Sequence, residues 1–277
     1  MLHKSFFGLL AASGALALAA PAAHAQTNVI SFSFSGNSNN PQYVDPMLSA
    51  GVVSAPNYNT DNGGNQGSIQ DGSQVTYSDG TSSGVTLTYN SYDAQSGNLQ
   101  KNSSFNSDAN QQLMNGFIES GPPAAANRAA SVTVSSVPFA SYSLYVYLFN
   151  GALGAPGGTP SVGTYSVASG TGGTTTASQN AMMQSTFNPS NPFTLASATT
   201  SGDYLVFTGL TGPNFTLTAD RVTGDTSTQT FIPIDGFQIV GTPAAAPEPA
   251  GFVPFVLGAV LLGGLVAARR RTAGASA

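Results

Sequence analysis

Residues 29–35 read VISFSFS, and this alternation of apolar and hydroxyl side chains decides the fold class. Ile30, Phe32 and Phe34 recur at every second position with serines between them, which is the two-residue period of a β-strand. We expect one face of this strand to be buried and the serine face to lie in water.

The same period returns along the chain and predicts an all-β protein. Residues 143–149, SLYVYLF, are apolar on both faces and predict a central strand covered on each side. Clusters of Gly, Asn, Asp and Thr separate the segments and predict turns, as at residues 62–64 and 170–176. Nine or ten short strands predict a β-sandwich. The other predicted strands are residues 75–77, 84–89, 131–135, 161–168, 203–208, 215–218 and 231–240.

One segment has a helical pattern, residues 108–119, DANQQLMNGFIE. Leu113, Phe117 and Ile118 would share one helix face. Asp108 is placed to cap the N-terminus of this helix.

The strands between residues 130 and 240 resemble the jelly-roll, galactose-binding-like sandwiches of bacterial surface proteins. The resemblance rests on paired strands, a polar hairpin and a closing strand, at residues 130–137, 142–147, 204–210 and 234–239. It implies a fold and no particular activity, because sandwiches host many unrelated functions.

The C-terminal end predicts a membrane-spanning helix at residues 250–268, which are apolar and uncharged. At a rise of about 1.5 Å per residue the helix reaches about 28 Å, close to the hydrocarbon thickness of a bilayer. Arginines resist translocation, so we expect those after the helix to stay cytoplasmic and the preceding body to lie outside. A Pro-Glu-Pro motif and three arginines flank the segment: Pro247, Glu248, Pro249, Arg269, Arg270 and Arg271.

The N-terminal end predicts a cleaved signal peptide at residues 1–25. Lys4 precedes an apolar stretch, and Ala23 and Ala25 form a small-x-small site for signal peptidase, with cleavage before Gln26. The apolar stretch is too short for a second membrane span.

Residues 247–271 resemble the PEP-CTERM sorting signal of Gram-negative bacteria, in which a Pro-Glu-Pro motif, one apolar helix and a basic cluster close the chain. The resemblance implies that exosortase recognises Pro247, Glu248 and Pro249 and removes the helix with its arginines. It also implies an inner-membrane precursor with a periplasmic body, and then a place at the cell surface or in an extracellular polysaccharide or biofilm matrix.

An ordinary single-span anchor is the alternative interpretation of this end. Glu248 favours the sorting signal, because it is the only charged residue between Asp235 and Arg269 and a plain anchor needs none there.

The body left after signal cleavage lacks the side chains of several catalytic classes. Both histidines, His3 and His24, lie in the leader, and the chain has no cysteine. Catalytic triads, Cys–His nucleophiles, His or Cys zinc sites, haem attachment and disulfides are therefore excluded. We expect no cofactor.

The charge of the body excludes further partners. Residues 26–241 hold 3 basic and 11 acidic residues, a net charge of 3 − 11 = −8. Such a body has no basic surface that could bind nucleic acid or anionic lipid.

Residues 61–65, Asp-Asn-Gly-Gly-Asn, with Asp71-Gly72 form an oxygen-rich pair of loops that suggests a structural calcium ion. The spacing departs from that of an EF-hand at Gly63. Ordinary Asx-Gly turns, which need no metal, are the favoured interpretation, and no metal ligand is assigned.

Exposed aromatic side chains could stack on sugars, but the densest aromatic stretch lies on the strand expected to be most buried. We therefore expect core roles for Tyr142, Tyr145, Tyr147, Phe139 and Phe149. Four tyrosines nearer to loops are equally good candidates for stacking on a sugar: Tyr43, Tyr58, Tyr77 and Tyr89.

An enzyme of this composition would have to use carboxylates, as glycosidases do with a pair roughly 5–10 Å apart. The body has one glutamate, Glu119, and ten aspartates mostly in turn contexts, and the sequence pairs none of them. We predict no catalytic residue and a non-enzymatic surface or matrix protein. The alternatives are a carbohydrate-binding module with a defined glycan site and, less favoured, a carboxylate-dependent glycan hydrolase.

The predicted organisation has five parts. They are a signal peptide (1–25), a β-sandwich body (26–241), a Thr/Pro/Ala linker with the motif (242–249), a transmembrane helix (250–268) and a basic tail (269–277).

Overall fold

The computed structural model is mostly β-sheet, with a single short helix in the part of the chain that it describes. The described residues are 29–34, 44–61, 66–69, 74–96, 108–122, 125, 128–149, 161–169, 175–184, 193–224 and 231–243. The first strands and the helix are β1 (Val29–Phe34), β2 (Asn59–Asp61), β3 (Gln66–Ile69), β4 (Thr86–Asn90), β5 (Asp93–Ser96), α1 (Ala109–Leu113), β6 (Gly116–Glu119), β7 (Ala130–Ser135) and β8 (Phe139–Tyr147). The later strands are β9 (Val162–Ser169), β10 (Thr175–Met183), β11 (Ser201–Gly202), β12 (Tyr204–Thr211), β13 (Phe215–Arg221), β14 (Pro233–Ile234) and β15 (Gly236–Pro243).

Two large mixed sheets face each other as in a sandwich. One has five strands in the order β12-β8-β15-β1-β2, and the other has seven in the order β11-β10-β9-β13-β7-β4-β3. The pairs β1–β2 and β10–β11 are parallel, and the other pairs of these two sheets are antiparallel.

The core between the sheets is built from their alternating apolar side chains. Phe215 of the seven-stranded sheet lies with its ring centroid 5.9 Å from Tyr142 and 6.2 Å from Phe237, both in the five-stranded sheet. Burial of such side chains stabilises the fold by roughly 25 cal/mol per Å² of apolar surface.

The predicted central strand is confirmed, because β8 lies between β12 and β15. Leu144 and Val146 face the core, while Tyr147 and Phe149 are buried on the opposite face in a second apolar cluster with Leu113 of α1.

The serine face of β1 corrects the first expectation of the sequence. Ser31 and Ser33 are buried, and so is every other residue of this strand. Residues 44–58, which we name the strap, pack on the outer face of the five-stranded sheet against Tyr147, Phe149 and Gln238. Val52 N–H donates to Tyr147 Oη (2.8 Å), and Gln238 Nε2 donates to the carbonyl of Val53 (2.8 Å).

The predicted helix is right at its start and wrong in its second half. Asp108 caps α1 by accepting from the N–H of Asn110 (2.9 Å), as expected. The helix ends at Leu113, and Gly116–Glu119 forms β6, since Phe117 and Ile118 pair with β5 in a third sheet of order β14-β6-β5. Pairing in the sheet overrides the weak helical pattern around Gly116.

Strands outnumber the prediction: fifteen occur among the described residues, against nine or ten expected. β10 begins at Thr175, inside a predicted turn cluster, and the predicted strand at 231–240 is interrupted by Asp235 between β14 and β15. Residues 75–77 form only an isolated bridge, between Thr76 and Ser82.

Candidate functional site

Aromatic and acidic side chains come together at one end of the three-stranded sheet. We name the group formed by Tyr92, Asp93, Glu119, Gly121 and Phe231 the Gly121 corner. Asp93 begins β5, Glu119 ends β6, and Phe231 lies two residues before β14, so the three strands of one sheet bring these residues together.

Tyr92 and Phe231 form an aromatic pair at this corner. Their ring centroids are 6.3 Å apart and their planes differ by 20°. Tyr92 is 40% exposed, whereas the other aromatic side chains that the structure describes are buried or half-buried. Its backbone N–H donates to the carbonyl of Glu119 (3.0 Å), which fixes the start of β5.

Gly121 makes room for the tyrosine ring. A Cβ added at Gly121 would lie 2.7 Å from two ring carbons of Tyr92, closer than real Cβ atoms approach other atoms. The ring therefore lies directly against the backbone at Gly121.

The acidic pair of the corner consists of Asp93 and Glu119, which face each other across the antiparallel strands β5 and β6. The Glu119 side chain is 1% exposed, and its Oε2 makes no hydrogen bond among the described residues. Burial, and secondarily the Asp93 carboxylate, raises the pKa of Glu119 to about 8. Glu119 therefore carries its proton at neutral pH.

An exposed ion pair borders the corner. The N–H of Gly121 donates to the carbonyl of Arg128 (2.9 Å), and Arg128 Nε contacts Asp220 Oδ1 at 3.1 Å. These side chains keep 46% and 32% of their surface exposed, so both remain accessible to a polar ligand.

The corner can bind more readily than it can catalyse. An exposed ring such as that of Tyr92, beside polar groups, suits a ligand with an apolar face and a polar rim. Glu119 has the raised pKa that a general acid needs. Its burial, however, keeps the carboxyl out of contact with a ligand on the surface.

The predicted core role of the aromatic stretch is confirmed for Tyr142, Tyr147, Phe139 and Phe149, which are buried. Burial raises the pKa of Tyr142 to about 12. Tyr145 is half-buried, with its ring centroid 6.4 Å from that of Tyr204. Of the loop candidates, Tyr58 and Tyr89 are buried, Tyr77 is half-buried and Tyr43 lies outside the described residues.

The suggested calcium loops fall mostly outside the described residues. Asp61 ends β2 and accepts from Tyr89 Oη at 3.4 Å, while residues 62–65 and 71–73 are not described. Within the described ranges, no group of three or more acidic side chains could hold a metal ion.

The processing residues also lie outside the described residues. This applies to Ala23 and Ala25, to the motif Pro247, Glu248 and Pro249, and to Arg269, Arg270 and Arg271. Among the helices that the structure does describe, none is long and apolar enough to cross a membrane.

Tyr92 and Phe231 were not singled out by the sequence. The available signal was the polar setting of Tyr92, which stands in Asn-Ser-Tyr-Asp just after a predicted strand. Phe231 is the first residue of the strand predicted at residues 231–240, and nothing in the sequence relates it to Tyr92.

Fold and site together define the class of this molecule: a sandwich-like β-protein with an exposed tyrosine stacked on a half-buried phenylalanine beside a buried acid. No protein-family model matches the chain, and no curated protein is significantly similar to it.

Proposed function

We propose that this chain is an exported, non-enzymatic β-sandwich protein of the cell surface or extracellular matrix, sorted by a PEP-CTERM signal. The observation that carries the proposal is the order of the chain's parts. A leader with its cleavage site precedes the body, and Pro-Glu-Pro, an apolar segment and three arginines follow it. A jelly-roll, galactose-binding-like sandwich is the proposed type of the body.

The body supports this proposal by its chemistry. Only 7% of the whole chain is charged, and the sheets carry serine and threonine on exposed faces, as at Thr133 and Thr216 (Oγ1 to Oγ1, 3.1 Å). Such a surface is compatible with a polysaccharide matrix, with exosortase and signal peptidase as processing enzymes.

Replacing Pro247, Glu248 and Pro249 together by alanine should block sorting. We expect the variant to keep its C-terminal helix and to accumulate in the inner membrane of the native host, because the recognised motif is gone. Immunoblots of membrane, surface and medium fractions would measure this.

The control for this experiment is Pro243→Ala, which changes the last residue of β15, a proline close to the motif but outside it. The control should reach the same fraction as the wild type. Equal release of the motif variant and the wild type would contradict sorting through Pro-Glu-Pro.

A carbohydrate-binding module with a defined site is the second candidate function. The exposed ring of Tyr92, beside half-buried Phe231, favours it, because an accessible aromatic ring beside polar groups is suited to sugars. Retention of the protein on exopolysaccharide would separate this candidate from an inert matrix protein.

The hydrolase alternative required two acidic side chains converging in one cleft. Asp93 and Glu119 are neighbours, but the 1% exposure of Glu119 weighs against their acting on a glycan. We therefore keep the non-enzymatic proposal.

A further inference from the structure

We propose that Tyr145 and Tyr204 form an intramolecular cross-linking site, at which a peroxide-driven one-electron oxidation joins the two phenol rings by a carbon–carbon bond. The bond fastens β12, at the end of the five-stranded sheet, to the central strand β8. This inference goes beyond the proposed function and does not rest on the sorting signal.

The register of the sheet places the two tyrosines on one face. In the antiparallel pair of β12 and β8, Tyr204 lies opposite Tyr147 and Val206 lies opposite Tyr145. Tyr145 and Tyr204 are therefore diagonal neighbours, at a separation that aromatic side chains can bridge. Their ring centroids are 6.4 Å apart and their planes differ by 30°, so the two rings are in contact.

Neighbouring residues hold the ring of Tyr204 beside that of Tyr145. Phe193 packs edge-on against Tyr204, with the ring centroids 6.4 Å apart and the planes at 88°. Phe193 is itself kept in place, because Oδ1 of buried Asp203 accepts from the N–H of the next residue, Thr194 (2.7 Å). The contact between the two phenol rings is thus part of the folded structure and needs no rearrangement of the backbone.

The phenol oxygens of the two tyrosines also lie near each other. Burial raises the pKa of Tyr204 most, and the Tyr145 phenol and then the Asp203 carboxyl raise it further. Such an effect of one phenol on another requires that their oxygens are close. The ortho carbons, at which two tyrosine rings couple, flank the carbon that carries the oxygen, so they are close as well.

The other tyrosines that the structure describes are less well placed for coupling. Tyr147, directly opposite Tyr204, is fully buried and its hydroxyl is already hydrogen-bonded. Tyr92 is the most exposed, but its ring packs on Phe231. Among the ring contacts of the described residues, the one between Tyr145 and Tyr204 joins two tyrosines, and both rings are partly exposed to an oxidant.

The coupling reaction balances with hydrogen peroxide as the oxidant. Each phenol gives up one electron and one proton and becomes a phenoxyl radical, whose unpaired electron is shared with the ortho carbons. Two ortho carbons then form the new bond, and the hydrogen on each of them moves to the phenol oxygen as the rings regain aromaticity. The chain loses two hydrogen atoms in total, and one hydrogen peroxide takes them up to give two waters. Because the chain has no cysteine, no thiol competes for the oxidant and no disulfide can fasten the strands instead.

The test is oxidation of the purified protein in dilute solution by hydrogen peroxide and a haem peroxidase, followed by dityrosine fluorescence and mass spectrometry. Trypsin leaves Tyr145 and Tyr204 together in the segment 129–221 and Tyr92 in another segment, because no lysine or arginine lies between Arg128 and Arg221. We expect the monomer to become fluorescent and the segment 129–221 to lose the mass of two hydrogen atoms. Fragmentation of this segment should place the new bond between Tyr145 and Tyr204.

Matched variants make the result specific. Tyr145→Phe and Tyr204→Phe each keep the aromatic ring and lose the phenol, so each should abolish the fluorescence of the monomer and the loss of mass. Tyr92→Phe removes the most exposed tyrosine and should leave both signals unchanged. Oxidised wild type should melt roughly 5 °C or more above oxidised Tyr145→Phe, because a link between distant residues restricts the unfolded chain. Unchanged circular dichroism before oxidation would show that each variant is folded.

Four results would overturn the inference. They are no loss of hydrogen from the segment 129–221, a bond that fragmentation assigns to another pair of tyrosines, a bond that persists in folded Tyr204→Phe, and equal melting temperatures of oxidised wild type and oxidised Tyr145→Phe. None of the four affects the proposed export and sorting, which the fractionation experiment judges separately.

Discussion

Glu119→Gln should raise the free energy of unfolding at pH 8 by on the order of 3 kcal/mol, because each unit of pKa shift corresponds to about 1.4 kcal/mol. Burial raises the pKa of Glu119 from 4.5 to about 8, so ionising this side chain opposes folding. Glutamine has a similar shape and no charge, and it removes that cost.

The pH dependence follows from the same shift. Between about pH 4.5 and 8 the folded protein binds a proton at Glu119 that the unfolded chain has released, so stability falls as pH rises through this window. Asp203 acts in the same direction, since burial raises its pKa from 3.8 to about 7. The wild type should therefore be more stable at pH 5 than at pH 8.

Urea unfolding of wild type and Glu119→Gln at pH 5 and pH 8 measures both effects. The two proteins should nearly coincide at pH 5 and separate at pH 8. Asp93→Asn is the matched variant, because it keeps Glu119 and removes the neighbouring charge that adds to the raised pKa. At pH 8, Asp93→Asn should show part of the increase in the free energy of unfolding that we expect for Glu119→Gln. Equal stability of wild type and Glu119→Gln at pH 8 would contradict a buried, protonated Glu119.

Gly51→Ala should destabilise the protein by on the order of 3 kcal/mol, the sum of backbone strain and overpacking. Gly51 lies in the strap with φ of +91°, a conformation that favours glycine. An added Cβ would lie 2.5 Å from Gln238 Oε1, 2.5 Å from Tyr58 Oη and 2.6 Å from Tyr147 Oη. These atoms cannot move freely, because Tyr147 Oη donates to Gln238 Oε1 and Gln238 Nε2 donates to the strap.

The control is Gly224→Ala, at φ of +89°, where no atom of the described residues lies within 4 Å of the added Cβ. This variant has the backbone strain without the steric clash, and it should lower the free energy of unfolding by about 1 kcal/mol. Chemical denaturation gives both values, and hydrogen exchange at the Val52 and Val53 amides reports the strap itself. Equal costs for the two variants would contradict a tightly packed contact beneath Gly51.

The strands that sequence periodicity predicted are those with one apolar face toward the core. β13 shows this plainly, since Phe215 and Leu217 are buried and alternate with half-buried Thr216 and Thr218. β2 and β5 were missed because Asn59–Asp61 and Asp93–Ser96 are mostly polar and become strands through pairing with β1 and β6.

The burial of Ser31 and Ser33 could not be predicted from their own segment. Residues from later in the sequence satisfy their polarity: Ser31 Oγ accepts from Gln238 Nε2 of β15 at 3.1 Å, and Ser33 Oγ lies 2.8 Å from Thr60 Oγ1 of β2. A period-two pattern therefore predicted the strand and one face correctly, while the environment of the second face depended on distant residues.

The candidate site could not be predicted from the sequence for the same reason, because it depends on residues that are distant along the chain. Tyr92 and Phe231 come from distant parts of the chain, and β14 brings them together by pairing with β6. Glu119 was recognised as the one glutamate of the body, but its burial and its proximity to Asp93 depend on that third sheet.

The intact mass of the mature protein, recovered from the surface or medium of the native host, tests the central claim most directly. The account predicts a chain that begins at Gln26 and ends near Pro249, without the apolar segment or its arginines. A mass that still includes Met1 or Arg271 would contradict it.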